Sequence, residues 1–230
     1  MNDVTTSGVL SPASYQAFIS SKLSLHVPVG FAPSDLSRYG LFDFQEAIVD
    51  WAVKRGRAAI FADTGLGKSA MQLAFADQVA THTGKPVLIL APLCVAQQTV
   101  REAQRIGIAD CRYARTKALV IGSRIVVVNY EMLEHFAGIE WGGVVLDESS
   151  ILKNFTGKTK QLLISSFKTT PFKLACTATP APNDYLELGN HAEFLDVMPS
   201  NEMIMRFFIN DTMAAGSYRL KNHGRDDFWQ

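Results

Sequence analysis

With 230 residues, the chain points to one large domain or one and a half small ones, and its 22 basic and 22 acidic side chains leave no whole-chain basic field, so any nucleic-acid contact must be local. Apolar residues make up 47% and charged residues 19%, enough for a sizeable core. Cys94, Cys111 and Cys176 form no C-x-x-C pair, which argues against a disulfide framework or a zinc site; Cys94 and Cys176 lie in apolar runs and are expected in the core.

Met1 to Gly40 is rich in Ser, Pro and Gly and reads as an N-terminal arm with one short helix around Tyr15, Phe18 and Ile19. Phe44, Ala47, Ile48, Trp51 and Ala52 then repeat at helical spacing until Gly56 stops the helix. A short apolar strand, Arg57 to Phe61, leads into Ala62-Asp63-Thr64-Gly65-Leu66-Gly67-Lys68-Ser69. This segment has the spacing of a Walker A phosphate loop, with Ala62 in place of the usual first glycine. Glycines let successive N–H groups turn inward as an anion nest, and the following helix adds the partial positive charge of its N-terminus. Thr64, Gly65, Leu66, Gly67, Lys68 and Ser69 are therefore candidate nucleotide-binding residues. Lys68 can reach the β- and γ-phosphates, and the Ser69 hydroxyl can ligate Mg²⁺. The plainer alternative is an ordinary glycine turn between strand and helix.

A helix through Met71, Leu73, Phe75 and Val79 runs to Thr83-Gly84-Lys85-Pro86, and Pro86 to Ala91 is a fully apolar strand. A polar helix from about Val95 to Arg105 follows, then a strand at Ile125 to Val128 closing on Asn129-Tyr130. Val144-Val145-Leu146 ends in Asp147-Glu148, and parallel sheets project ligand groups from the carboxyl ends of their strands. Asp147 suits a Walker B metal site and Glu148 the orientation and deprotonation of an attacking water. A solvated acid pair capping the next helix is the alternative; both motifs in this order, each on its own strand, favour the nucleotide site. Phe172 to Thr177 is a further strand, ending in Thr177-Ala178-Thr179-Pro180. Met203 to Ile209 could be helical, whereas Ala214 to Gln230 reads as a linker or an element awaiting a partner. Continuous apolar strands separated by helices indicate an α/β fold, a mainly parallel sheet with helices on both faces. No basic-then-apolar leader and no membrane-length apolar run occurs, so a soluble, cytoplasmic protein without a membrane partner is expected.

The order of motifs resembles the first RecA-like domain of superfamily 2 helicases, P-loop NTPases, and more closely the Swi/Snf-related DEAD/DEAH-box proteins of phages and prophages. Asp147-Glu148-Ser149-Ser150-Ile151-Leu152-Lys153-Asn154 parallels a D-E-A-H-x-L-K-N pattern. Leu41-Phe42-Asp43-Phe44-Gln45 is similar to the adenine-reading element, which implies that Gln45 bonds the adenine edge; a plain helix-surface residue is the alternative, and Phe42 could stack on the base. Ala91-Pro92-Leu93 resembles the motif that grips the nucleic-acid backbone, and Val128 to Leu133, with Tyr130, the strand-end element ahead of the acids. Thr177 and Thr179 fall in what resembles the motif coupling ATP state to nucleic-acid grip. Lys153, Lys158 and Lys160 could touch phosphate or simply flank a solvated helix.

The resemblance implies an arm at 1–40, a RecA-like ATP-binding domain at 41–195 and an extension at 196–230 leading toward a second RecA-like domain, supplied in cis or in trans. It implies ATP and Mg²⁺ as ligands, Glu148 and Lys68 as catalytic groups, and sequence-nonspecific nucleic acid, duplex DNA in the Swi/Snf branch, as partner. Two departures matter: Ser149-Ser150 stands where the family has Ala-His, and no second RecA-like domain follows, so the isolated chain is expected to hydrolyse ATP weakly or not at all. An RNA helicase or restriction-type motor and a non-catalytic binding module remain the rival readings.

Overall fold

The computed structural model describes residues 28–153, 157–182, 184–210 and 218–229. Its centre is a six-stranded sheet: β1 (Arg57–Phe61), β2 (Val87–Ala91), β3 (Cys111–Tyr113), β4 (Ile125–Asn129), β5 (Gly143–Asp147) and β6 (Phe172–Thr177), in the order β1-β6-β5-β2-β4-β3. Every pairing in this sheet is parallel, so all six strands end on one edge. The apolar runs alternate between two cores, as the pleat requires. Ile89, Ile125, Val127, Val145 and Leu174 face one core, and Leu88, Leu90, Val126, Val128, Val144 and Leu146 face the other.

The first face is covered by α1 (Asp43–Arg55), α2 (Lys68–Thr83) and α3 (Leu93–Arg105). The second is covered by a 3₁₀ segment over Tyr130–Phe136 and by α4 (Gly157–Ser166) and α5 (Leu188–Phe194), through Leu133, Phe136, Leu163 and Phe194. The expected sheet with helices on both faces is thus the observed architecture. Among the described residues, no helix is long and apolar enough to cross a membrane.

Several local expectations change. The described part of the arm packs against the domain: Val29 and Phe31 donate their amides to the Arg55 and Val53 carbonyls. Arg38 and Arg124 pair with Asp77 at 2.6 and 2.9 Å, and the Tyr39 hydroxyl donates to the same buried carboxylate at 2.7 Å. An anion buried in α2 thereby gains two cations and a hydroxyl, which offsets its desolvation. The short strand β3, absent from the sequence reading, forms the outer edge of the sheet beside β4.

At the C-terminal end, α6 (Ser200–Phe207) stops two residues earlier than the apolar spacing suggests, because Phe208–Asn210 turns into β7. This strand pairs antiparallel with β8 (Tyr218–Leu220), and α7 (Arg225–Trp229) follows. Phe207 and Phe208 pack against Phe228, so a segment expected to be a linker carries a small aromatic cluster. The helix expected near Tyr15, Phe18 and Ile19 lies outside the described residues.

Candidate functional site

At the carboxyl edge of the sheet, Phe61 of β1 is in register with Thr177 of β6, and Cys176 of β6 with Asp147 of β5. The strand leading to the glycine loop and the strand bearing the acids therefore stand two places apart, about 10 Å at the usual strand spacing. Gly65 and Gly67 adopt φ of 87° and 77°, which L side chains reach only with strain, and this turns the loop back over the edge. Gly67 starts α2 without a side-chain cap, so the first-turn amides of that helix are not taken up by a capping side chain. Lys68 folds its ammonium into the loop, donating to the Ala62 and Asp63 carbonyls at 2.8 and 3.1 Å.

Gln45 is buried and holds this loop. Its Oε1 accepts from the Phe42 amide at 3.0 Å, and its Nε2 donates to the Leu66 carbonyl at 3.0 Å. The side chain expected to read adenine fixes the glycine loop against the start of α1, and the surface-residue alternative does not hold. Phe42 is 72% exposed and stacks on Phe44.

Asp147 is buried at the end of β5 while Glu148, half-buried, turns out at φ 51°. Burial pushes the Asp147 carboxyl above the usual range; Gln72 works against that shift, Glu148 adds repulsion, and Lys68 attracts. Gln72 is fully buried beside the acid, yet neither atom of its carboxamide makes a well-formed hydrogen bond among the described residues. The Tyr130 hydroxyl donates to the Asp147 carbonyl at 2.7 Å.

Thr64, Gly65, Gly67, Lys68 and Ser69 share one cleft of about 410 Å³ with Asp147 and Glu148, and Gln98, Thr99 and Glu102 of α3 form its other wall. Two larger cavities, of about 870 and 540 Å³, lie away from this cleft. Their chemistry is less apt: both are mostly apolar, and neither holds a glycine loop beside acids. Among the described residues no group of three or more His, Cys, Asp or Glu side chains could hold a metal ion. One hydroxyl and one buried carboxylate are instead the hard, sparse oxygen set that suits Mg²⁺ completed by phosphate oxygens and water.

The remaining expected residues spread along the same edge. Pro92 is half-buried as the N-cap of α3. Leu93 and Cys94 after it are exposed, which corrects the expected burial of Cys94: its apolar neighbours belong to the strand, whereas it sits on the outer turn of a helix. Tyr130 is buried, so its contact is with the acid strand and its hydroxyl does not face solvent. Thr177 is buried and its hydroxyl accepts from the Thr179 amide at 3.1 Å, while Thr179 itself is exposed. Lys160 pairs with Glu193 at 2.8 Å and so contributes no free charge to the expected basic cluster. The sequence reading missed Gln72, the α3 wall and His191, which meets the Ser149 hydroxyl at 3.0 Å; only the helical spacing of Gln72 after Lys68 could have flagged the first.

Comparison with known proteins agrees with this fold. The family model for the SNF2-related domain matches residues 44–213. Protein p41 of Acyrthosiphon pisum secondary endosymbiont phage 1 is 30% identical over 178 residues, covering 66% of this chain and 38% of that protein. Helicase domino of Drosophila melanogaster is 26% identical over 206 residues, 76% of this chain and 6% of that protein. The chain therefore spans well under half the length of these relatives. Among solved structures, the Sulfolobus solfataricus SWI2/SNF2 ATPase core in complex with dsDNA superposes with a TM-score of 0.61 at 20% identity, over 79% of this chain and 40% of that one. The UvsW helicase from bacteriophage T4 gives 0.57 at 16%, over 83% and 66%.

Proposed function

This chain belongs to the SNF2-related domain family, and on that premise we propose that it is the nucleotide-binding motor half of an ATP-dependent nucleic-acid translocase, converting ATP and water to ADP and phosphate. The observation that carries the reading is the single cleft shared by Lys68, Ser69, Asp147 and Glu148. Lys68 and the first-turn amides of α2 hold the triphosphate, with Gln45 at the adenine side. Ser69 and Asp147 would hold Mg²⁺, which would supply positive charge against the triphosphate. Glu148 orients the attacking water in line with the γ-phosphate and takes its proton.

No arginine lines the cleft among the described residues, so the cation that stabilises charge on the transferring phosphoryl comes from elsewhere, in our reading from a second RecA-like domain in cis or in trans. Hydrolysis by these 230 residues alone is accordingly slow. The exposed amides after Pro92 and the exposed Thr179 contact phosphates of duplex DNA from the carboxyl edge without reading sequence, so binding is salt-sensitive, while the buried Thr177 holds the Thr179 turn through its hydroxyl. The phage relative fits a bacterial or phage-infected cytoplasm.

The test is equilibrium binding of a fluorescent ATP analogue with single-turnover hydrolysis. Lys68→Ala should abolish binding, and Glu148→Gln should keep binding and abolish turnover. Equal affinity in wild type and Lys68→Ala would remove the phosphate-loop assignment, and robust multiple turnover by the chain alone would refute the need for an external cation.

A further inference from the structure

Glu148 is one of two non-glycine residues with positive φ among the described residues, at 51°. A left-handed conformation in a residue that carries a Cβ costs energy and persists only where its surroundings over-determine it. Both flanks of Glu148 are pinned. Before it, the buried Tyr130 hydroxyl holds the Asp147 carbonyl at 2.7 Å. After it, Ser149 and His191, fully buried and 4% exposed, meet at 3.0 Å between Oγ and Nε2.

The ring's environment fixes the direction of that bond. Nδ1 faces the Glu187 carbonyl one helical turn back, at a geometry short of a formed hydrogen bond. This puts the ring proton on Nδ1 and leaves Nε2 to accept from the Ser149 hydroxyl. Burial lowers the imidazole pKa to about 4, so the acceptor is neutral at ordinary pH. The same ring packs edge-on against Phe61, centroids 5.3 Å apart, where β1 ends and the phosphate loop begins.

We propose that Ser149 and His191 form a latch that holds the Glu148 turn in its strained, cleft-facing conformation, which makes His191 a positioning residue for hydrolysis. The imidazole that the D-E-A-H pattern carries two residues after its second acid is here supplied from α5, reaching the acid turn through Ser149 and the glycine loop through Phe61. The catalytic meaning of the latch rests on the motor reading above, in which Glu148 orients water.

Two readouts on the full chain test it. The first needs no nucleotide: side-chain ¹⁵N shifts of His191 and amide exchange at Ser149, Ser150 and Ile151. Ser149→Ala should move the Nε2 resonance while the ring stays neutral. Exchange should rise about fivefold in Ser149→Ala and in His191→Leu, the loss of one net hydrogen bond, and the double variant should exceed neither single. His191→Gln, which can offer a carbonyl oxygen in place of Nε2, should restore protection. The second readout is single-turnover hydrolysis, expected to fall about fivefold in the same two variants with ATP affinity within about twofold of wild type, and to recover in His191→Gln. ATP binding with exchange and rate unchanged in Ser149→Ala, or a double variant equal to the product of the singles, would overturn the latch alone. A wild-type chain that binds no ATP, with exchange responding as expected, would instead remove the motor reading and the catalytic role of the pair.

Discussion

The two loop glycines have similar backbone angles but different surroundings, and alanine at each separates strain from collision. Gly65 has φ 87° and open space where a Cβ would go, so Gly65→Ala carries only the left-handed backbone cost, about 1 kcal/mol. At Gly67, φ 77°, a Cβ would lie 2.3 Å from Gln45 Nε2 and 3.3 Å from its Cδ. Gln45 cannot simply swing aside, because it accepts from the Phe42 amide and donates to the Leu66 carbonyl, each at 3.0 Å, in a site only 6% exposed. Relief breaks both bonds at about 1 kcal/mol apiece, so Gly67→Ala should cost about 3 kcal/mol in all. Urea denaturation followed by circular dichroism measures the two losses. The double variant Gln45→Ala/Gly67→Ala supplies the control: with the obstructing amide gone, adding Gly67→Ala should cost only about 1 kcal/mol more. Equal losses at Gly65 and Gly67, or full additivity in the double variant, would refute the contact between Gln45 and the loop as the cause.

Three further outcomes are expected. The His191 pKa is depressed from 6.5 to about 4, so the unfolded chain binds the proton first as pH falls; stability present above about 6.5 is lost toward pH 4, by up to about 3 kcal/mol. Denaturation at several pH values should show wild type losing that much more than His191→Gln on acidification, and parallel curves would contradict the buried imidazole. Asp196→Asn leaves the buried Lys173 ammonium, 2.6 Å away, and Arg57, 3.1 Å away, without their carboxylate; a loss of about 2–3 kcal/mol is expected, largely recovered by adding Lys173→Met, and a loss below about 0.5 kcal/mol would contradict the pairing. In the native chain a thiol reagent should label Cys94 alone among the three cysteines, with Cys111 and Cys176 reacting only on unfolding; rapid native labelling of either buried thiol would show the core to be misplaced.

The parallel sheet was legible because its central strands are apolar on both faces, so Val87–Ala91, Ile125–Asn129 and Gly143–Asp147 read as runs with no competing period. The edge strand Cys111–Tyr113 has three residues and one exposed arginine, too short a pattern to stand out. Cys94 misled because an apolar run gives no sign of where a strand hands over to a helix. The meeting of the glycine loop and the acids in one cleft was legible from glycine spacing and from strand-end carboxylates. Gln72 and His191 were not, because their importance comes from tertiary placement: one lies a helical turn behind Lys68 and the other 42 residues beyond Ser149. The C-terminal hairpin was hidden by its composition, since isolated aromatics form a cluster only when Phe228 folds back on Phe207 and Phe208.

Everything in the mechanism depends on Ser69 and Asp147 serving one cation. Titrating the isotope-labelled chain with Mn²⁺–ATP and following paramagnetic broadening tests this directly. The amide signals of Ser69 and Asp147 should disappear together at one equivalent, and both should survive in Lys68→Ala. Broadening of one without the other, or broadening that persists unchanged in Lys68→Ala, would contradict a shared metal–nucleotide site.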